Sequence, residues 1–158
     1  MANNAAGIAM TSFIVAVAVS IAFYQFVYIP EANAKPVLPP NYTKPPDTTP
    51  VTIVPGANIQ NSVRNFVPKD PQTILGQSNR VTWTNNDNVP HTVTSDDKYV
   101  DKFSGSFNSL DQQDSVPGGY ILPGKSFTFV FTQTGSYSYH CEPHPWMQGK
   151  IEVVPSLA

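Results

Sequence analysis

The sequence predicts an all-β protein, an antiparallel Greek-key β-sandwich, preceded by one N-terminal transmembrane helix and a Pro-rich linker. Three observations predict this organisation: an uncharged apolar run near the start, a cluster of prolines after it, and then short apolar segments separated by turn signals. The chain therefore divides into an N-terminal tail at 1–6, an anchor or signal at 7–29, a Pro-rich linker at 30–57 and a β domain at 58–158.

The apolar run at 7–29 carries no charge. At about 1.5 Å per residue its 23 residues form a helix of roughly 34 Å, enough to cross a bilayer core about 30 Å thick. A secretory signal has a shorter apolar core behind a positive leader, and residues 1–6 contain no Lys or Arg. We expect an uncleaved anchor. Cleavage after Ala34, in the small-residue motif Ala32-Asn33-Ala34, remains the alternative.

The linker is defined by its prolines. Seven lie between Lys35 and Gly56: Pro36, Pro39, Pro40, Pro45, Pro46, Pro50 and Pro55. Such a segment is not expected to form a helix or a central strand and favours extended polyproline II conformation. It is either a semi-rigid stalk or a disordered linker of the same composition.

The β domain is predicted from segments of period two. The expected strands are 73–75, 81–84, 91–94, 126–132, 136–140 and 150–154. The clearest is the fourth, which places Phe127, Phe129 and Phe131 on one face. Residues 96–115 are polar, and we expect an irregular loop with one short helical turn, anchored by Tyr99, Phe103 and Phe107.

The composition excludes two features. Only 13% of residues are charged, the net charge is −2, and no Lys/Arg cluster occurs, so we expect no nucleic acid partner. The single cysteine rules out an internal disulfide.

That cysteine, Cys141, is the most informative residue. It begins the spacing C-x-x-H-x-x-M with His144 and Met147, and His91 lies upstream. One Cys, two His and a Met are the trigonal set with a weak axial thioether that mononuclear electron-transfer copper sites use. Taken singly, a lone Cys or Met is usually core filler. Zinc is the main competitor for a Cys/His site, but thioether is not among its usual ligands. We therefore predict one type 1 copper ion, cycling between Cu(I) and Cu(II).

Three stretches carry a family resemblance. GSYSYHCEPHPWMQGKI at 135–151, together with VTWTNND and VPHTV at 81–87 and 89–93, resembles a cupredoxin of the plastocyanin/amicyanin type. The short loop between Cys141 and Met147 is more like amicyanin. The resemblance implies that His91, Cys141 and His144 ligate copper in a plane, with Met147 axial.

The sequence also supports expectations for His140 and Thr92, the neighbours of two predicted ligands. His140 alternates with Cys141 along a strand, so its ring should face away from the metal. The family usually has Asn after its first His ligand, where it ties the two ligand loops together. Thr92 stands there in this chain, which puts the rigidity around the ligands in question.

The function that these features imply is transfer of single electrons between redox protein partners. In the family the exposed ring of the loop His, here His144, is the electron port, and Pro90, Pro145 and Trp146 would form its apolar rim. We also expect an acidic edge, which would either steer a basic partner or simply solvate a loop. It consists of Asp96, Asp97, Asp101, Asp111, Asp114 and Glu142. The alternative is a copper enzyme with an open position, acting on nitric oxide or peroxide, if Met147 does not coordinate.

The expected location is the cell membrane, single-pass, with the copper domain on the extracytoplasmic side. Lys35 and Lys44 follow the span, and the positive-inside rule weakly favours the opposite orientation. The bias is only one or two charges, and the chemistry of the site suits the outer face. Secretion after cleavage following Ala34 is the alternative.

Overall fold

The computed structural model describes residues 3–32, 37–112 and 117–156. It forms two compact units, residues 1–36 and 37–158. The first unit is helical: α1 covers Asn3–Phe23, a π-helical turn covers Tyr24–Tyr28, and α2 covers Ile29–Ala32.

The helical unit contains a candidate membrane span, Met10–Glu31, which qualifies by length and composition. Its side chains from Met10 onward are exposed rather than packed against protein. An apolar helix whose side chains are exposed is what a bilayer would cover. The motif Ala32-Asn33-Ala34 extends beyond the described residues, because residues 33–36 are outside them.

The second unit is a β-sandwich, as the sequence predicts. Its strands are β1 Thr48–Ile53, β2 Phe66–Val67, β3 Gln72–Ile74, β4 Arg80–Asn85, β5 Thr94–Ser95, β6 Val100–Asp101, β7 Gly105–Ser106, β8 Ser126–Val130, β9 Gly135–Cys141 and β10 His144–Val154. A short helix, α3, covers Pro40–Thr43, and 3₁₀ turns cover Ser109–Asp111 and Pro117–Gly119. One sheet has the order β2-β1-β4-β8 and the other β3-β10-β9-β5, while β6 and β7 form a separate hairpin.

The sheets are mixed rather than wholly antiparallel. Strand β1 pairs parallel with β4, and β3 pairs parallel with β10, while the other pairs are antiparallel. In both parallel pairs the partners lie far apart in the sequence and are joined by a long connection, as parallel pairing requires.

Strand β1 corrects the predicted extent of the linker. It lies inside 30–57, where prolines argued against a central strand, and it pairs with both β2 and β4. The pairing with β2 covers only Thr52 and Ile53, so β1 is an edge strand at Pro50. A proline, which lacks an N–H, is tolerated at such a position. The compact β unit begins at Val37.

Three other predicted segments differ in the structure. Residues 91–94 form only an isolated bridge at His91 before β5, because the N–H groups of Thr92 and Val93 bond to the side chains of Cys141 and Ser109. Strand β8 ends at Val130 instead of residue 132. The predicted loop at 96–115 contains the β6–β7 hairpin and the 3₁₀ turn at 109–111, and its residues 113–115 lie outside the described residues.

The core lies between the two sheets and is aromatic. The rings of Trp83 and Phe127 stack at 5.6 Å between centroids, and Trp83 meets Tyr139 edge-on at 5.5 Å. Phe127, Phe129 and Phe131 are all buried, as the period-two pattern predicts. Phe107 is also buried, whereas Phe103 stays at the surface. This core fixes the end of β9, where Cys141 lies.

Candidate metal centre

Three of the four predicted ligands meet at one end of the sandwich. Donor atoms of His91, Cys141 and His144 all lie within 4.8 Å of one another. Cys141 is the last residue of β9, His144 is the first of β10, and His91 belongs to the loop between β4 and β5. The two strands are antiparallel neighbours, and the register places Cys141 opposite His144. The tight β9–β10 turn therefore brings these two residues together.

The distances fit one metal ion. Nδ1 of His91 and Nδ1 of His144 each lie 3.6 Å from Sγ of Cys141. With bonds of about 2.0 Å to nitrogen and about 2.3 Å to sulfur, two donors lie that far apart when they subtend roughly 115° at the ion. That angle lies between the values for tetrahedral and for planar three-ligand coordination, and it suits one ion held by all three donors. The donor set and its geometry fit copper.

The two histidines differ in exposure. His91 is completely buried, whereas His144 is only partly so. Burial, and then the neighbouring His91, lower the pKa of His144, which favours the neutral ring that a metal needs. The ring of His144 lies 5.3 Å from that of Trp146 between centroids. His144 is thus the ligand candidate nearest to solvent, beside an aromatic ring.

Cys141 is buried and is held by Thr92. The backbone N–H of Thr92 donates to Sγ at 3.3 Å, and the Thr92 hydroxyl accepts from the N–H of Glu142 at 2.8 Å. Burial raises the pKa of the Cys141 thiol, so a metal must compete with a proton for the sulfur. Thr92 therefore does tie the two ligand loops together, in the place where the family usually has Asn.

Met147 lies in β10, three residues after His144, and is completely buried. Its burial at this end of the strand fits the predicted axial position. A buried Met also fits simple packing, so its coordination remains a prediction.

His140 faces away from the cluster, as the alternation along β9 predicts. Its Nδ1 lies 2.5 Å from Oδ1 of Asp96, and its Nε2 lies 3.7 Å from Oε1 of Glu142. These contacts lie on the outer side of β9, along a surface cavity of about 420 Å³.

Four of the six residues predicted to form an acidic edge lie at the surface. Asp96, Asp97, Asp111 and Glu142 are exposed. Asp101 is not: it is 1% exposed and accepts hydrogen bonds from Thr132 and from the N–H groups of Phe103 and Ser104. The prediction that Asp101 belongs to this edge is wrong, because its carboxylate holds the β6–β7 hairpin against the end of β8. Asp114 lies outside the described residues.

The sequence reasoning missed Asp87, a buried carboxylate. Its Oδ2 lies 2.9 Å from Nε2 of His91. Burial opposes ionisation of Asp87, but hydrogen bonds from Gly56, His91, Asn88 and Asn58 outweigh it and lower the pKa. The signal available in the sequence was an acidic residue four positions before a candidate ligand, in an otherwise uncharged segment.

A β-sandwich whose buried thiol meets two imidazoles at one end defines a mononuclear copper protein. Comparison with known proteins agrees. The profile for copper binding proteins of the plastocyanin/azurin family matches residues 57–154, and the chain belongs to that family. Its cofactor is a type 1 copper ion.

The similar proteins are amicyanins, plastocyanins and a purple cupredoxin. Amicyanin of Paracoccus denitrificans is 30% identical over 52% of this chain and 55% of its own length. Chloroplastic plastocyanin of Physcomitrium patens is 34% identical over 56% of this chain and 49% of its own length. The chain thus spans about half the length of these curated relatives.

Among solved structures, a purple cupredoxin from Nitrosopumilus maritimus is 28% identical with a TM-score of 0.51. The match covers 67% of this chain and 99% of that one. The β unit therefore has the cupredoxin fold.

Proposed function

We propose that this protein is a membrane-tethered, extracytoplasmic carrier of single electrons. His91, Cys141 and His144 would hold the copper ion, and Met147 would supply a fourth, weaker thioether ligand. The observation that supports this proposal is the assembled cluster: three donors within 4.8 Å, two of them buried and the third partly exposed. Copper bound there supplies a one-electron couple between Cu(I) and Cu(II).

The scaffold suits electron transfer because it resists movement of the ligands. Cys141 is fixed by β9 and by Thr92, while His91 is buried and hydrogen-bonded to Asp87. Pro143 and Pro145 flank His144 and restrict the backbone of its turn. Ligands that move little between two oxidation states keep the reorganisation small.

Electrons enter and leave through the edge of His144. The other two planar ligands are completely buried, so His144 offers the shortest route from solvent. Pro145, the residue after His144, and Pro90, the residue before His91, are exposed, and Trp146 packs against the ring of His144. This apolar rim is the surface on which a redox partner docks.

The partners are an electron donor and an electron acceptor, soluble or in the membrane. Asp96, Asp97 and Glu142 are exposed and leave a negative edge that attracts a basic partner. The N-terminal helix keeps the copper domain at the membrane, in agreement with the span at Met10–Glu31.

Ligand access distinguishes a carrier from an enzyme. The full-length protein in detergent is loaded with copper, and its visible spectrum is recorded with and without azide or nitric oxide. We expect little change and fast electron exchange with small redox reagents, since buried Met147 closes the site. Met147→Ala is the positive control, because it vacates the axial position and should admit azide. Azide binding to the wild type as tight as to Met147→Ala would instead support an enzyme with an open position.

A further inference from the structure

Asp87 is a buried carboxylate behind the most buried histidine of the cluster. Its side chain is 2% exposed, and its Oδ2 lies 2.9 Å from Nε2 of His91. On the other side of the same ring, Nδ1 faces Sγ of Cys141 at 3.6 Å. The imidazole of His91 therefore lies between a carboxylate and the thiol, with one nitrogen toward each.

The carboxylate is itself fixed by backbone donors. Oδ1 accepts from the N–H groups of Gly56 and Asn88, both at 2.9 Å, and Oδ2 accepts from the N–H of Asn58 at 3.3 Å. Asn85 anchors the backbone, because its Oδ1 accepts from the N–H of Asp87. If Asp87 turned away from His91, these three backbone donors would lose their acceptor.

This arrangement determines the tautomer of His91. Both oxygens of Asp87 accept from backbone N–H groups, so the remaining contact, with Nε2 of His91, is one in which the ring nitrogen carries the proton and donates it. Nδ1 then keeps its lone pair, and that lone pair points toward the thiol and the space between the donors. A partner of this kind orients a ligating histidine and raises its basicity.

We propose that Asp87 is a positioning residue that fixes His91 in the tautomer with Nδ1 free for copper, and that its negative charge lowers the reduction potential. The proposal rests on the ligand assignment made under the proposed function. Asp87 does not touch the metal. It acts through the His91 ring, where its charge favours Cu(II) over Cu(I).

Asp87 also connects the metal centre to the loop at 54–65. That loop supplies two of its donors, Gly56 and Asn58, and its Ala57 carbonyl accepts from Nε1 of Trp146 at 3.4 Å. The same loop therefore contacts the partner of His91 and the neighbour of His144. Loss of Asp87 should loosen this loop as well as free the His91 ring.

The variants separate charge from position. Asp87→Asn keeps the shape and an oxygen that accepts from Nε2 but removes the charge, whereas Asp87→Ala removes both. Asp101→Asn is the matched control, since Asp101 is equally buried and held by backbone donors but contacts none of the candidate ligands. Asp111→Asn, at an exposed position, is a second control in case the first destabilises the fold.

The reduction potential and the copper affinity are measured on the full-length protein in detergent. Asp87→Asn should keep the visible band and change the ratio of Cu(II) to Cu(I) affinity about tenfold, a rise of about 59 mV for a one-electron couple. Asp87→Ala should weaken copper binding by about 10- to 100-fold. The control variants should leave both values unchanged.

Nitrogen-15 NMR of the histidine rings in the metal-free wild type gives an independent readout. We expect His91 to carry its proton on Nε2 only, with slow exchange, and Asp87→Ala to mix the two tautomers. A proton on Nδ1 in the wild type overturns the proposal even if no variant folds. A potential unchanged in Asp87→Asn, or raised as much by Asp101→Asn, also overturns it. If the wild type shows no thiolate–copper band at all, the proposed function fails instead.

Discussion

The backbone N–H of Thr92 points at the sulfur of Cys141 across 3.3 Å, although 49 residues separate them in the chain. The hydroxyl of the same threonine accepts from the N–H of Glu142, the residue after Cys141. The amide of Thr92 thus fixes the sulfur of Cys141, and its side chain fixes the backbone of the next residue. Thr92 thereby connects the loop of His91 to the turn that follows Cys141.

Thr92→Val should weaken this connection while preserving the shape of the side chain. The N–H of Glu142 loses its acceptor, so we expect the metal-free protein to lose about 1–3 kcal/mol of unfolding free energy. Denaturant unfolding measures the loss. Thr84→Val, which removes a hydroxyl bonded to Ser126 on the sheet surface, should change the value by less than about 0.5 kcal/mol. Equal stability of Thr92→Val and the wild type contradicts the role given to the hydroxyl.

Cys141→Ser should abolish the intense visible band of the copper-loaded protein. That band arises from charge transfer between the thiolate and Cu(II), and a serine oxygen does not replace the soft sulfur ligand. Absorption of equal amounts of wild type and variant, after loading with Cu(II), measures it. His140→Ala is the control, because His140 bonds to Asp96 on the outer side of β9, and it should keep the band. A coloured Cys141→Ser protein would show that the ligand set is wrong.

The N-terminal helix should hold the native protein in the membrane through a high-salt wash. About 20 apolar residues inside a bilayer are not released by screening of charge. Fractionation followed by immunoblotting of pellet and supernatant measures this. Mass spectrometry gives the complementary result: an intact N-terminus supports the anchor, and a mature chain that begins at Lys35 supports a cleaved signal.

The candidate ligand set was accessible from the sequence because three of its members, Cys141, His144 and Met147, lie within seven residues. Such a short turn between two antiparallel strands places Cys141 and His144 next to each other. His91 was assigned as a ligand because the segments at 81–87 and 89–93 resemble the cupredoxin family. Asp87 was not found, because the donors that bury it come from the loop at 54–65, about 30 residues upstream.

Two errors have a common cause in local composition. Strand β1 was missed because prolines lie in and around it, although the buried Val51 and Ile53 alternate with less buried neighbours in the manner of a half-buried strand. Asp101 was placed on the surface because the residues around it are polar. Its carboxylate is in fact buried by Thr132, which lies 31 residues away. The burial of Asp101 cannot be read from its neighbouring residues alone.

Asp101 should make the stability of the β unit depend on pH. Burial opposes its ionisation, but hydrogen bonds from Ser104, Thr132 and Phe103 outweigh this and keep its pKa below the ordinary value. The stabilisation is therefore present above the unfolded pKa of about 3.9 and is lost as the pH falls through the folded pKa. Asp101→Asn should cost about 2 kcal/mol of unfolding free energy at pH 7 and less in acid. Denaturant unfolding at both pH values measures this, and an equal cost at both would contradict it.

Met147→Leu should raise the reduction potential while copper stays bound. The thioether donates weakly to the metal, and its loss favours the less charged Cu(I), whereas the three planar donors remain. Leucine has a similar volume, so the buried site should not collapse, and the cost to stability should stay below about 1.5 kcal/mol. Potentiometric titration of the visible band measures the potential. Val153→Leu is a control for a volume change elsewhere in β10, at a buried position remote in sequence from the ligands, and it should leave the potential unchanged. If Met147→Leu changes neither the potential nor the spectrum, and the wild type binds azide readily, then Met147 only fills the core. The open-site enzyme would then be better supported than the electron carrier.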